Sequence, residues 1–207
     1  MTCREVVHNP FATRSTRPGQ LAWWSVTESP AGLLDRLDQL GGRGVLCGPH
    51  GSGKSTLLWQ LLAEGRARGW TVRHLRLRSR ADVVVAAAAV LGVGDDQQLL
   101  CIDSWEVLGW SGRLLERLAW RRRGRLILTA HHASSSGGLP ILLKTQPTLA
   151  CFRSLVADLL ARSPGHQIDF EPQLLEAIYR RHEGNLREAF FELYDRFEAA
   201  VRRPRAA

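Results

Sequence analysis

Long apolar runs, paired cysteines and lysine are all scarce in this sequence of 207 residues. No run of about 18 apolar residues occurs, so the sequence predicts no membrane-spanning helix. Charges and prolines interrupt the first 19 residues before an apolar signal-peptide core could form. We therefore expect a cytoplasmic protein without a membrane partner.

The four cysteines form no CxxC pair and show no cysteine–histidine spacing typical of zinc sites. Cys47 and Cys101 lie in short apolar runs, which predicts that both are buried and pack as small hydrophobic side chains. The pair His131-His132 has no companions at metal-ligand spacing. The sequence thus indicates neither a disulfide framework nor a structural metal site.

Only Lys54 and Lys144 are lysines, so arginine supplies most of the positive charge of a chain with formal net charge +8. Residues 41–103 hold 8 basic and 5 acidic residues, and residues 104–150 hold 7 and 2, so the excess lies mid-chain. Such a charge can attract nucleic acid, but a phosphate-binding domain also needs it. A nucleic-acid partner is therefore not favoured.

Five short apolar runs, separated by stretches of helical length, predict the strands of a sheet. The runs are 44–47, 71–77, 99–103, 125–129 and 140–143, and the intervening helices are predicted at 54–68, 81–91 and 112–122. This alternation is typical of an α/β fold with a mostly parallel five-stranded sheet flanked by helices. The alternating charges of 71–77 further predict an edge strand.

The chain after Thr148 has a helical pattern throughout. Helices are predicted at 149–162, at 172–182 with Pro172 in the first turn, and from Asn185, with Asn185 as N-cap and Glu188 as its capping-box partner. One face of the last helix is apolar: Leu186, Ala189, Phe190, Leu193, Tyr194 and Phe197. We therefore divide the chain into an N-terminal extension (1–28), an α/β core (29–147) and a helical lid (148–207).

The most specific motif matches the phosphate-binding P-loop pattern G-x-x-x-x-G-K-[ST] and lies between a predicted strand and a predicted helix. Glycines there let backbone N–H groups approach phosphate oxygens, and the helix directs its positive end at the anion. The predicted nucleotide-binding residues are Gly48, Pro49, His50, Gly51, Ser52, Gly53, Lys54, Ser55 and Thr56. Lys54 is expected at the β- and γ-phosphates, and Ser55 at Mg²⁺.

In a second motif, at 99–103, four apolar residues precede Asp103, which lies at the end of a predicted strand. This is the pattern of a Walker B strand, in which the carboxylate holds Mg²⁺ through water. An apolar run that ends in aspartate is common, but about 50 residues after a P-loop it is informative. The two motifs together predict ATP and Mg²⁺ as ligands, with Ser55 and Asp103 at the metal.

With these motifs the sequence resembles the additional-strand P-loop ATPases, and among them the AAA+ proteins. A fourth predicted strand ending at Thr129 and the string Gly184-Asn185-Leu186-Arg187-Glu188 in the C-terminal helices contribute to the resemblance. It implies that Thr129 or His131 senses the γ-phosphate and that Arg187 reaches the nucleotide from the lid. It also implies an ATP hydrolase.

The sequence departs from the AAA+ pattern at two places. Ser104 stands where the catalytic glutamate usually follows the aspartate, so Glu106 is the nearest carboxylate that could orient the attacking water. A helix starting at Asp103 would place 103 and 106 on one side. Only about ten residues separate Thr129 from Pro140, too few for the helix that carries an intersubunit arginine finger. The sequence therefore does not predict a standard hexameric motor. It leaves open whether the protein binds a protein partner or forms a homo-oligomer.

Other functions also fit parts of this sequence. The P-loop string 48–58 and the run 128–131 (Leu-Thr-Ala-His) also resemble transporter-type ABC ATPases. Those proteins need a Ser-Gly-Gly signature before the Walker B strand, whereas here it follows that strand, at 136–138, and no insert for a helical subdomain exists. Two alternatives stay open. A small-molecule kinase would hold its acceptor near Arg76, Arg78 or residues 121–123. A nucleotide-switched regulatory module would hydrolyse ATP slowly, which serine at position 104 would suit.

Overall fold

The computed structural model describes residues 8–21, 28–132, 138–163 and 169–202. Residues 1–7 and 22–27 of the predicted extension, and Ser136 and Gly137 of the ABC-like signature, lie outside these ranges. The strands are β1 Arg43–Cys47, β2 Thr71–Arg76, β3 Gln98–Asp103, β4 Arg125–Ala130 and β5 Ile141–Lys144. The α-helices are α1 Thr13–Thr16, α2 Pro30–Gln39, α3 Lys54–Ala67, α4 Val83–Leu91, α5 Trp110–Ala119, α6 Leu149–Ala161, α7 Pro172–Arg181 and α8 Leu186–Arg202. The predicted fold class is confirmed.

All strand pairs of the sheet are parallel, and the strand order is β2-β3-β4-β1-β5. β4 therefore lies between β1, which leads into the P-loop, and β3, which ends at Asp103. One strand thus separates the strand that leads into the P-loop from the strand that ends at Asp103. β2 lies at the edge with Arg73, His74 and Arg76 exposed, which confirms its predicted edge character. Because parallel strands end at the same edge of a sheet, the segments after β1, β3 and β4 converge on one site.

Several boundaries differ from the sequence predictions. The predicted helix 81–91 is a 3₁₀ turn, Arg80–Asp82, followed by α4, because the Asp82 carboxylate accepts the backbone N–H groups of the two residues before the turn. The predicted helix 112–122 is α5, which begins at Trp110 and ends at Ala119, and β4 continues one residue past Thr129. Helix α2 was missed, although Ser29 caps it and Pro30 opens it.

Helices cover both faces of the sheet. On one face α4 and α5 pack with Ala86, Val90 and Leu115 against β3 and β4, and on the other face α2 and α3 pack their leucines against β1, β3 and β4. Cys47 is buried in the first cluster and Cys101 in the second, as predicted. The sheet is thus sandwiched between two helical layers, and its C-terminal edge carries the P-loop.

The C-terminal helices α6, α7 and α8 form a third apolar cluster. The predicted apolar face of α8 packs there, together with Phe11 and Leu21 from the N-terminal segment. The Asn185 side chain accepts the backbone N–H groups of Arg187 and Glu188, which confirms Asn185 as an N-cap. The division of the chain at residues 28 and 147 stays a prediction.

Glu116, on the inner side of α5, is a buried acid that is only 2% exposed. Its Oε1 accepts a hydrogen bond from Trp105 Nε1 at 2.6 Å. Its Oε2 is buried without a hydrogen-bond partner among the described residues. Burial raises the pKa of Glu116 to about 7, against the opposing effect of the Trp105 hydrogen bond.

This shift makes stability depend on pH. The folded pKa of Glu116 lies above the ordinary value of 4.5, so the folded state loses stability as pH rises from about 4.5 to about 7. We expect Glu116→Gln to unfold at a higher urea concentration than the parent at pH 8, and to differ much less at pH 5. The amide keeps the acceptor for Trp105 and never ionises. Equal shifts of the urea midpoint at both pH values would contradict the assignment.

Candidate functional site

The P-loop connects β1 to α3 through a tight backbone turn. Gly51 and Gly53 have φ values of 69° and 88°, a left-handed conformation that glycine adopts without strain. A Cβ at Gly48 would collide with Thr145, and a Cβ at Gly51 would collide with the Asn185 side chain. The loop backbone is therefore closely approached by the residue that follows β5 and by the cap of α8, which requires glycine at both positions.

Lys54 is buried within this loop. Its Nζ donates to the carbonyl oxygens of Gly48 at 2.6 Å and Pro49 at 2.8 Å. Burial lowers the pKa of Lys54, and the carboxylates of Glu106 and Asp103 oppose this effect. The ammonium group thus lies inside the P-loop, where a P-loop lysine meets the β- and γ-phosphates.

Asp103 lies beside the first turn of α3. Ser55 Oγ donates to its Oδ2 at 3.1 Å, and Thr129 Oγ1 donates to its Oδ1 at 2.5 Å. The backbone N–H of Ser104 in turn donates to Thr129 Oγ1 at 2.9 Å. Thr129 therefore holds Asp103 in place, and the γ-phosphate sensing expected of Thr129 stays a prediction. The two predicted metal ligands, Ser55 and Asp103, lie next to each other.

No helix begins at Asp103, so the condition under which residues 103 and 106 would share one side of a helix is not met. Ser104 adopts a left-handed φ of 65°, and a 3₁₀ turn, Trp105–Leu108, follows. This turn directs Trp105 into the core, where it is 1% exposed, and places Glu106 at the wall of the cavity. Glu106 thus lies beside the site because the backbone kinks at Ser104, and not because of helical i, i+3 spacing. A non-glycine residue in this conformation costs about 1–3 kcal/mol, and such residues cluster at functional sites.

Glu106 pairs with His131, which follows β4. His131 Nε2 lies 2.8 Å from Glu106 Oε1, and His131 Nδ1 lies 3.4 Å from Lys54 Nζ. Because the lysine ammonium can only donate, this geometry fits a neutral imidazole with its hydrogen on Nε2. Burial lowers the pKa of His131, Glu106 opposes this, and the neighbouring Lys54 and His50 lower it further. The His50 ring lies against the His131 ring, with centroids 3.6 Å apart.

The second carboxylate oxygen of Glu106 has no assigned contact. Glu106 Oε2 is buried and lacks a hydrogen-bond partner among the described residues. Buried carboxylate oxygens nearly always have a partner, either a protein group or water. In this conformation Oε2 has almost no accessible surface, so the described contacts hold the Glu106 carboxylate through Oε1, beside His131.

A cavity of about 810 Å³ joins these groups. Its wall includes P-loop residues from His50 to Thr56, the Asp103, Thr129, Glu106 and His131 side chains, and Arg187 at the start of α8. Among the described residues, five arginine and lysine side chains line the cavity and outnumber the two carboxylates, Asp103 and Glu106; they are Arg17, Lys54, Arg76, Lys144 and Arg187. The cavity therefore favours an anionic ligand.

Sequence patterns did not single out every residue of the cavity. Thr145 follows β5 and its hydroxyl lies 2.6 Å from that of Ser52, which fixes the P-loop from the side. Arg17 of the N-terminal segment also lines the cavity. Arg76, which from sequence was only a possible acceptor-site residue of a kinase, is the register partner of Asp103 across β2 and β3, and its Nε lies 4.0 Å from Asp103 Oδ2. Only tertiary structure brings these residues to the P-loop, so no short sequence signal places them at the nucleotide site.

The residues suit a magnesium-bound nucleotide. The Ser55 hydroxyl and the Asp103 carboxylate supply the oxygen ligands that Mg²⁺ prefers. In the described part of the chain no group of three His, Cys, Asp or Glu side chains could hold a metal ion. Mg²⁺ at Ser55 and Asp103 would thus need further ligands from phosphate oxygens and water, which is its usual mode in nucleotide sites.

The fold is similar to that of known protein structures. Among these is the crystal structure of a DNA replication initiation factor, with a TM-score of 0.50 and 16% sequence identity. The match covers 82% of this chain and 62% of that chain, so the protein spans less than two thirds of that structure. At this identity the likeness shows the fold alone. No protein family and no curated protein matches the sequence, and no helix in the described ranges is long and apolar enough to cross a membrane.

Proposed function

We propose that this protein binds ATP with Mg²⁺ at the P-loop and hydrolyses the γ-phosphate, in an arrangement like that of AAA+ ATPases. The observation that carries the proposal is the contact of Ser55 with Asp103 at 3.1 Å beside the buried ammonium of Lys54. A P-loop lysine, a hydroxyl for Mg²⁺ and a carboxylate for Mg²⁺ are the parts that phosphoryl transfer to water requires. The positive charge of the cavity supports the same ligand.

The remaining side chains take roles around this centre. Glu106, at the wall of the cavity, orients and deprotonates the attacking water, while His131 holds its Oε1. Thr129 positions Asp103, and Arg187 approaches the nucleotide from α8. Mg²⁺ would neutralise charge on the phosphates, and Lys54 would stabilise the charge that develops on the β- and γ-phosphate oxygens.

A small-molecule kinase is the second candidate. Arg76 favours it, because its exposed guanidinium lines the cavity beside Asp103, where an anionic acceptor could bind. Phosphate release in water alone, measured against release that requires a second substrate, separates the two functions. Turnover close to zero with tight nucleotide binding would instead indicate a nucleotide-switched module.

Ligand-induced stabilisation tests the metal-dependent site directly. We expect ATP with Mg²⁺ to raise the melting temperature of the parent protein more than ATP with EDTA, since a ligand at 100 times its Kd stabilises by about 2.7 kcal/mol. Asp103→Asn should lose most of the Mg²⁺-dependent rise in melting temperature, because the amide is a poor ligand for the cation. Glu188→Gln, which removes an exposed acid on α8, is the matched control. The absence of any shift with nucleotide would reject the proposed site.

A further inference from the structure

Exposed large hydrophobic side chains are concentrated on two neighbouring helices, α4 and α5. Among the described residues eight such side chains are exposed, and six of them lie on α4, on α5 or directly after α5. They are Val84 (72%), Val85 (53%), Leu91 (47%), Trp110 (79%), Leu114 (54%) and Trp120 (48%). We call this surface the α4–α5 face.

The two helices lie side by side on the same side of the sheet. Both pack into one apolar cluster above β3 and β4, so their outward sides adjoin. α4 has no polar side chain at all, and only Ala86, Ala89 and Val90 of its nine residues are buried. A surface helix normally carries polar residues on its outer side. A large exposed apolar patch of this kind marks an interaction surface.

The exposed charged side chains of the two helices themselves have one sign. Arg113 and Arg117 are exposed on α5, and Arg121 and Arg123 are exposed just after it. The acid of these two helices, Glu116, is buried and bonded to Trp105. Among the flanking acids, Asp82 accepts two backbone N–H groups before α4, and Asp95 and Asp96 are exposed after α4, beside residues 124–125. The exposed polar side chains of α5 beside Trp110 and Leu114 are thus cationic.

The exposed apolar and cationic side chains together indicate what kind of partner binds the α4–α5 face. A second copy docked through the same face would place arginine against arginine, which is unfavourable. Tryptophan is enriched at the boundary between lipid and water, and arginine can lay its stem on apolar surface while its guanidinium reaches a phosphate. Trp110 protrudes with 79% of its surface exposed, and a fluid lipid interface accepts such a side chain without a matching pocket.

We propose that the α4–α5 face binds the surface of a membrane that contains anionic phospholipid. The hydrophobic tips enter the headgroup region, and the arginines bind the lipid phosphates. The expectation of no membrane partner was based on the absence of a spanning helix, but a face that lies on the membrane needs none. The proposal does not depend on ATP hydrolysis, since it concerns a different surface.

Vesicle binding by the full chain tests this proposal. We expect the protein to co-sediment with vesicles containing phosphatidylglycerol and not with vesicles of phosphatidylcholine alone, and to bind more weakly as salt increases. The double variant Trp110→Ala, Leu114→Ser should bind at least tenfold more weakly. The double variant Arg113→Gln, Arg117→Gln should bind about thirtyfold more weakly, and its binding should depend less on salt.

Matched control variants distinguish binding through this face from nonspecific binding to vesicles. Trp59→Ala removes an exposed tryptophan from α3, on the other side of the sheet, and Arg66→Gln, Arg180→Gln removes two exposed arginines elsewhere. Both controls should bind like the parent, and thermal melts should confirm that every variant is folded. No binding to anionic vesicles, or equal binding by all variants, would overturn the proposal. So would a concentration-dependent oligomer in sedimentation velocity that Trp110→Ala, Leu114→Ser abolishes, because that would assign the face to a second copy.

Discussion

Lys54→Ala should bind Mg-ATP at least tenfold more weakly than the parent, a loss of about 1.4 kcal/mol or more. The Lys54 ammonium lies inside the P-loop and donates to the carbonyl oxygens of Gly48 and Pro49. When phosphates enter the loop, their oxygens offer this cation charged acceptors, and charge-assisted hydrogen bonds are about twice as strong as neutral ones. Titration with a fluorescent ATP analogue in the presence of Mg²⁺ measures the change.

The control for this variant is Arg66→Ala. It removes one positive charge from the exposed side of the same helix, α3, so it reports the general electrostatic effect of a lost cation. Its affinity should stay within about twofold of the parent, since a screened charge outside the cavity contributes little. Equal affinities of Lys54→Ala and the parent for Mg-ATP would contradict the proposal that the P-loop binds the nucleotide. A thermal melt without nucleotide shows whether Lys54→Ala is folded.

The sheet could be predicted from sequence because burial determines its pattern. Strands such as β3 and β4 are covered by helices on both faces, so they require the short, nearly continuous apolar runs seen in the sequence. The edge strand β2 was recognised for the opposite reason, since one of its sides stays exposed. α2 was missed because it has no continuous apolar run: its signals are a serine cap, a proline and three buried leucines at helical spacing, Leu33, Leu34 and Leu37.

The candidate site was predictable only where its geometry is local. The P-loop is one continuous turn, so its glycines and Lys54 are recognisable in sequence order. Glu106 was selected for a helical spacing that the structure does not have, and it reaches the cavity because Ser104 adopts a left-handed conformation. Thr145 and Arg76 come to the site through strand order and register, which no short pattern contains.

Glu106→Gln should hydrolyse ATP roughly 10²-fold more slowly than the parent while it binds ATP normally, because a general base contributes about that much. The substitution suits the geometry. Glutamine keeps an oxygen that accepts the hydrogen of His131 Nε2, so the pair can persist while the base is lost. Phosphate release under single-turnover conditions gives the rate, and the fluorescent analogue gives the affinity. Hydrolysis at the parent rate would show that a partner supplies the base, or that the chain is a slow switch.

A double-mutant cycle then shows how His131 acts. His131 contacts Glu106 Oε1, so we expect it to position that carboxylate, and His131→Ala alone should lower the rate less than Glu106→Gln does. If His131 acts through Glu106, the double variant should be no slower than Glu106→Gln, since residues that act as one unit are not additive. A further loss in the double variant would mean that His131 contacts the γ-phosphate itself.

The pH profile provides a second readout of the role of His131. Because burial lowers the pKa of His131, the parent rate should stay constant from pH 8 down to about 6.5. The rate should fall only in more acidic solution, where His131 gains a proton beside Lys54.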